Sequence, residues 1–160
     1  MNRLQFIIAS LAFFCLMAVQ ADETNTQYKD CGHNEIKSFF LSGCNPNQKS
    51  CVIHKHSKTQ LRIGFVANEN TGKYVKTRFI CNLGGIEVGW PGIDETDACQ
   101  GHGLSCPLTK GQTYLYNLDF SLGDDIPLAS SIVNVTGKVQ LEDEHGGQLL
   151  CGKVHISLQP

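Results

Sequence analysis

Apolar and polar residues alternate along most of this chain, and that period of two limits the possible folds more than any other feature. Leu61, Ile63, Phe65 and Ala67 are interleaved with Arg62, Gly64 and Val66, and Val75, Thr77, Phe79, Cys81 and Leu83 with Lys76, Arg78, Ile80 and Asn82. The pattern returns at Ile86, Val88 and Trp90, at Tyr114, Tyr116, Leu118, Phe120 and Leu122, and at Val133, Val135, Val139 and Leu141. Leu150, Val154, Ile156 and Leu158 close the chain. Successive side chains of a strand point to opposite faces, so strict alternation places one face in a core and the other in water. Turn formers separate the runs: Asn68–Gly72, Gly84-Gly85, Pro91-Gly92, Lys110-Gly111 and Glu144–Gly147. No segment after residue 34 carries helical periodicity. About seven strands at this spacing predict an all-β fold, a two-sheet antiparallel sandwich.

Cysteine usage sets the compartment. The chain has 8 cysteines in 160 residues, a density that belongs to oxidising environments. Residues 1–21 read as a secretory signal peptide: Arg3 gives the positive start, Phe6 to Val19 the apolar run, and Val19-Gln20-Ala21 the small residues at the cleavage positions. That run is shorter than the roughly 20 residues of a membrane span. One domain then occupies residues 22–160, and the protein is expected to be secreted, into an extracellular fluid, a gut lumen or an acidic endolysosomal space. Cys15 leaves with the leader and seven cysteines remain. Cys44 and Cys51 flank the turn formers N-P-N-Q-K-S, and Cys99 and Cys106 flank Q-G-H-G-L-S, so each pair reads as a local staple. Cys31 and Cys151 then tie the ends of the domain together, and Cys81, on an apolar face beside Phe79, is left as a small hydrophobe.

The charge balance excludes several functions. Lys and Arg total 13 and Asp and Glu 15, a net charge of −2, which fits neither a polybasic nucleic-acid binder nor an acidic tail. There is no C-x-x-C, and His54-x-His56 alone is a weak chelator, so no metal site is expected. His33, His54, Asp94 and several serines are present, but no nucleophile motif organises them, and no catalytic residue or cofactor is expected. All six histidines lie beyond the leader, so an acidic compartment would invert the sign of the net charge. Asn134-Val135-Thr136 is a glycosylation sequon with Asn134 on the solvent side of its strand.

The residues predicted to point between the sheets are large: Phe40, Phe65, Phe79, Trp90, Tyr114, Tyr116 and Phe120. Such a set fits a filled core and equally a pair of sheets held apart around a cavity.

Four segments carry a family resemblance: K-D-C-G at Lys29–Gly32, G-C followed by C-V-I-H within Gly43–His54, W-P-G-I-D at Trp90–Asp94, and C-P-L-T-K-G-Q-T-Y at Cys106–Tyr114. Together they resemble the MD-2-related lipid-recognition (ML) domain, in the pattern shared by house-dust-mite group 2 allergens and Niemann–Pick type C2 proteins, over about residues 28 to 158. The resemblance implies an immunoglobulin-like sandwich with a lipid-sized hydrophobic cavity between its sheets. It also implies the pairing Cys31–Cys151, Cys44–Cys51 and Cys99–Cys106, with no counterpart for Cys81. Taken with the alternation, it implies a cavity wall of Phe40, Leu61, Ile63, Phe65, Val75, Phe79, Val88, Trp90, Ile93, Tyr114, Tyr116, Leu118, Phe120, Leu122, Ile126, Val133, Val135 and Val154. Trp90-Pro91 is similar to the aromatic–proline pair of the sterol-binding members, and Leu122 matches one of their apolar positions. Ile126 stands where those members carry an aromatic residue, which leaves a fatty acid or another lipid as open as a sterol. The implied function is to sequester or transfer such a lipid, with a receptor or a membrane as further partner, and allergenicity of the mite type comes with the likeness. The alternative is a recognition module of innate-immunity type with the lipid as co-ligand.

Overall fold

The strands form where the alternation is strict, because each then has one face to bury. A computed structural model describes residues 25–123 and 132–160; the leader and Ile126 lie outside them. Among the described residues there are nine strands and no helix: β1 (Lys29–Asp30), β2 (Ile36–Leu41), β3 (Cys51–His54), β4 (Lys58–Val66), β5 (Val75–Leu83), β6 (Ile86–Gly89), β7 (Thr113–Ser121), β8 (Val133–Asp143) and β9 (Gln148–Gln159). Two short strands beyond the expected seven are main-chain pairings too brief to carry a periodic signal.

The strands build two facing sheets. The larger runs β1-β9-β8-β5-β6, with β3 also on β9; the smaller runs β2-β4-β7. The expectation of an antiparallel sandwich holds with one exception, since β3 pairs with β9 in parallel. Gly84 and Gly85 turn β5 into β6 with φ of 59° and 97°, the two positive values that a tight two-residue hairpin requires. β2 lies over β9: a Cβ on Gly152 would sit 3.1 Å from the Phe39 ring, so the bare glycine is what lets the sheets close there. β7 lies over β5, where Tyr116 meets Thr77 and Phe120 meets Phe79. The smaller sheet ends at β7, and β6 is the outermost strand of the larger one.

The 90–112 segment closes one flank. Its 94–98 stretch continues along the β5 edge past the end of β6, with Glu95 N donating to Thr77 O, Thr77 N to Thr96 O, and Ala98 N to Val75 O. Asp94 accepts from Arg78 Nε and from Phe79 N, both at 3.0 Å. Ile93, Ala98, Leu104 and Leu108 from this segment are buried in the core.

The disulfides are Cys31–Cys151, Cys44–Cys51 and Cys99–Cys106, spanning 120, 7 and 7 residues. Among the described residues Cys81 is the free cysteine, buried on the inner face of β5. At the Cys31 end, buried Glu35 accepts from His33 N at 2.7 Å and from Asn68 Nδ2 at 3.0 Å, while Asn68 Nδ2 also donates to Gln148 O. Burial works to raise the Glu35 carboxyl, but these hydrogen bonds outweigh it and hold it below its ordinary range.

Candidate functional site: the inner faces of the sandwich

The candidate site is the space between the sheets, and alternation decides which side chains enter it. Leu61, Ile63 and Phe65 of β4, Val75 and Phe79 of β5, Tyr116, Leu118 and Phe120 of β7, Val135 of β8 and Val154 of β9 are all buried, as are Trp90, Ile93 and Leu122 beyond the strands. Tyr114 and Val133 are half-buried and pack against the same core. Three rings form one cluster across the sheets: Phe79 to Trp90 at 5.3 Å, Phe79 to Phe120 at 5.5 Å and Trp90 to Phe120 at 5.5 Å between centroids. These edge-on and tilted geometries are the ones the aromatic quadrupole favours.

Two tyrosines enter the inner layer, and each hydroxyl has a partner. The Tyr116 hydroxyl lies 3.0 Å from Thr77 Oγ1, and burial pushes its phenol up to about 12. The Tyr114 hydroxyl accepts from Thr109 N at 2.8 Å. The Cys81 thiol, on the same inner face, is pushed up to about 12 by burial; it stays protonated at physiological pH and is no nucleophile.

Two expected wall residues are placed elsewhere. Phe40 was expected to face inward, but a register shift between Ile36 and Ser38 puts an extra residue into β2. Ile36, Phe39 and Leu41 therefore face the core, and half-buried Phe40 lies outside with the Arg62 guanidinium 5.9 Å from its ring centroid. The adjacent aromatics Phe39 and Phe40 are indistinguishable by pattern, so the bulge alone selects between them. Val88 has the inward parity, being the partner of buried Cys81, yet it is 44% exposed because the smaller sheet stops at β7, over β5. Sequence reading missed Ala98, Leu104 and Leu108, which lie in an irregular segment with no period to read.

The inner face of the larger sheet does not end where the core ends. Phe79 and Cys81 are buried; Leu83, two residues on, is 40% exposed, and its partner Ile86 is 68% exposed. Ile132, which precedes β8 at the end where β5 turns into β6, is 61% exposed. Leu83, Ile86, Val88 and Ile132 are four of the five exposed large apolar side chains among the described residues. On the inner face Leu83, Ile86 and Val88 therefore form an apolar strip that leads past Cys81 and Phe79 to the aromatic cluster, and exposed apolar patches can mark binding surfaces.

Comparison with known proteins agrees with this geometry. The family model of the ML domain matches residues 25–158. The chain is 34% identical over 145 residues to mite group 2 allergen Lep d 2 of Lepidoglyphus destructor, covering 91% of this chain and 94% of that protein. It is 29% identical over 136 residues to the NPC intracellular cholesterol transporter 2 homolog a of Drosophila melanogaster, covering 83% and 87%. The crystal structure of a Niemann-Pick type C2 protein from Japanese carpenter ant superposes with a TM-score of 0.72 at 19% identity, covering 83% of this chain and 99% of that one.

Proposed function

Because the chain belongs to the ML domain family, we propose that it takes up a lipid, a sterol or a fatty acid, between its two sheets, and that it acts as a secreted carrier. The observation that carries this reading is the apolar strip from Leu83, Ile86 and Val88 to Phe79, Trp90 and Phe120. A ligand could leave water along it without crossing a polar barrier. Burying roughly 400 Å² of apolar ligand surface is worth on the order of 10 kcal/mol gross at about 25 cal/mol/Å². Lost translational freedom and side-chain ordering reduce that sum substantially, leaving binding of roughly micromolar to nanomolar strength.

The chemistry asked of the protein is exclusion of water and nothing covalent. The phenol of Tyr116 and the hydroxyl of Thr77 satisfy one another, so the inner layer offers a ligand mostly hydrocarbon. Three disulfides suit an oxidising compartment, in keeping with a leader at residues 1–21. Asn134, exposed on the outer face of β8, is the proposed glycan attachment point.

The test is to express the chain in a secretory host, extract the purified protein with organic solvent and identify lipids by mass spectrometry, then follow uptake of a fluorescent fatty acid and a fluorescent sterol. A stoichiometric lipid, with uptake slowed at least fivefold in Leu83→Asn/Ile86→Asn, is the expected result. No co-purified lipid and no uptake of either probe would show that the inward aromatics fill a solid core. Removal of a glycan by amidase, lost in Asn134→Gln, checks the attachment point.

A further inference from the structure

Two short strands share one edge of β9. β1 pairs with it antiparallel, Lys29 opposite Lys153 and Asp30 opposite Gly152. β3 pairs with it in parallel, from Cys51 opposite Ile156 to His54 opposite Gln159. Neither ladder takes in Val154 or His155 on that edge. Antiparallel and parallel ladders space their hydrogen bonds differently, so a change from one to the other breaks the edge. Here the break coincides with a hollow in the outer face of the larger sheet, lined by Tyr28, Lys29, Lys49, Thr136, Lys153 and His155 among others, with no carboxylate.

The charges around the hollow are unusual for a sheet. Lys29 stands directly opposite Lys153, and Lys153 directly opposite Lys138, so three lysines occupy one rung of three adjacent strands. Like charges placed opposite one another destabilise a sheet. Lys138 has an acid, Glu87 at 3.4 Å. Lys29, Lys49 and Lys153 form no ion pair among the described residues. Elsewhere on the same sheet Lys76 and Arg78 are neutralised by Glu95 and Asp94. The chain as a whole carries −2, so composition does not account for the concentration of unpaired ammonium groups at one break. Thr136 Oγ1, 3.3 Å from His155 Nδ1, adds a hydroxyl to the same wall.

We infer that this hollow binds a phosphate-ester group. A tetrahedral dianion offers three oxygens, and Lys29, Lys49 and Lys153 stand in the wall of the hollow on three separate elements: β1, the turn before β3, and β9. Each such hydrogen bond is charge-assisted, and the bound anion relieves the repulsion along the rung. Lys29, Lys153, Thr136 and His155 share the outer side of the sheet, opposite to buried Val154, so phosphate occupancy here and lipid uptake between the sheets are read by separate assays, and either can fail alone.

The test is an amide nitrogen–proton NMR titration with sodium phosphate, ionic strength held constant with sodium chloride. Saturable shifts confined to Lys29, Lys49, Thr136, Val154 and His155 are expected. Lys49→Gln/Lys153→Gln should weaken phosphate about a hundredfold, since each lost charge-assisted bond is worth about tenfold, with the thermal midpoint at or above the parent's because the rung loses its central charge. Shifts that scatter over all lysines without saturating, or that persist in the double variant, would overturn the inference. Vesicles of phosphatidylcholine with and without phosphatidate identify the source of the group. Binding only to phosphatidate vesicles, lost in the double variant, assigns it to a lipid headgroup. Saturation by free phosphate with no vesicle binding assigns it to a soluble phosphate ester.

Discussion

Replacing Phe79 by Ala tests whether the inner layer is packed as described. Phe79 is 2% exposed and touches both Trp90 and Phe120. Truncation returns roughly 120 Å² of apolar surface to a void, about 3 kcal/mol at 25 cal/mol/Å². Two ring pairs add about 0.5–1.5 kcal/mol each. The sum, about 4–6 kcal/mol, reaches the upper end of the range for Phe→Ala in a core that cannot collapse, and corresponds to a thermal midpoint lower by roughly 15–20 °C in a domain of this size. Collapse is hindered here because Trp90 is held by its main-chain bond to Phe79 O and Phe120 by its place in the β4–β7 ladder. The assay is urea unfolding followed by the fluorescence of Trp90, the single tryptophan of the chain, and independently by circular dichroism. A loss below about 1.5 kcal/mol, with the slope against urea unchanged, would refute the reasoning, because it would mean that the three rings share no packed interface.

Breaking Cys31–Cys151 with paired serines should cost about 5 kcal/mol by loop-closure entropy, against about 2.5 kcal/mol for either short staple; equal losses in urea melts would contradict that ordering. The depressed Glu35 carboxyl makes a stability contribution that is full above its reference value of 4.5 and is lost as pH falls through its lower folded value. Glu35→Gln should therefore be less stable than the parent at pH 7, with the gap narrowing by pH 3; a constant gap would show that the charge plays no part. Cys81, buried with its thiol pushed up to about 12, should react with an aromatic disulfide reagent at pH 8 only after unfolding in urea; rapid reaction of the native protein would place that thiol in solvent.

Much of the fold was legible in the residues because its signals are local. Phe65, Phe79, Tyr116 and Phe120 were assigned inward by alternation alone and are buried. The two short cysteine staples were legible from the turn formers they enclose. The immunoglobulin-like sandwich followed from strand spacing and from the four matching segments. The wall between the sheets was less legible, since a position can have the right parity and still lack a roof.

What the sequence by itself determined is parity along an unbroken strand: which side each residue takes where no bulge intervenes, where each strand must turn, and which cysteines lie close along the chain. Tertiary structure decided what covers each face. The β2 bulge exchanged Phe40 for Phe39, and the three-strand width of the smaller sheet left Val88 and Ile86 in solvent. The irregular 90–112 segment supplied Ala98, Leu104 and Leu108 to the core. The lysine rung exists only because β1, β9 and β8 meet in one register. The physical reason is common to all four: a period of two is a property of neighbours along the chain, whereas register, sheet width and coverage depend on contacts between residues far apart in it.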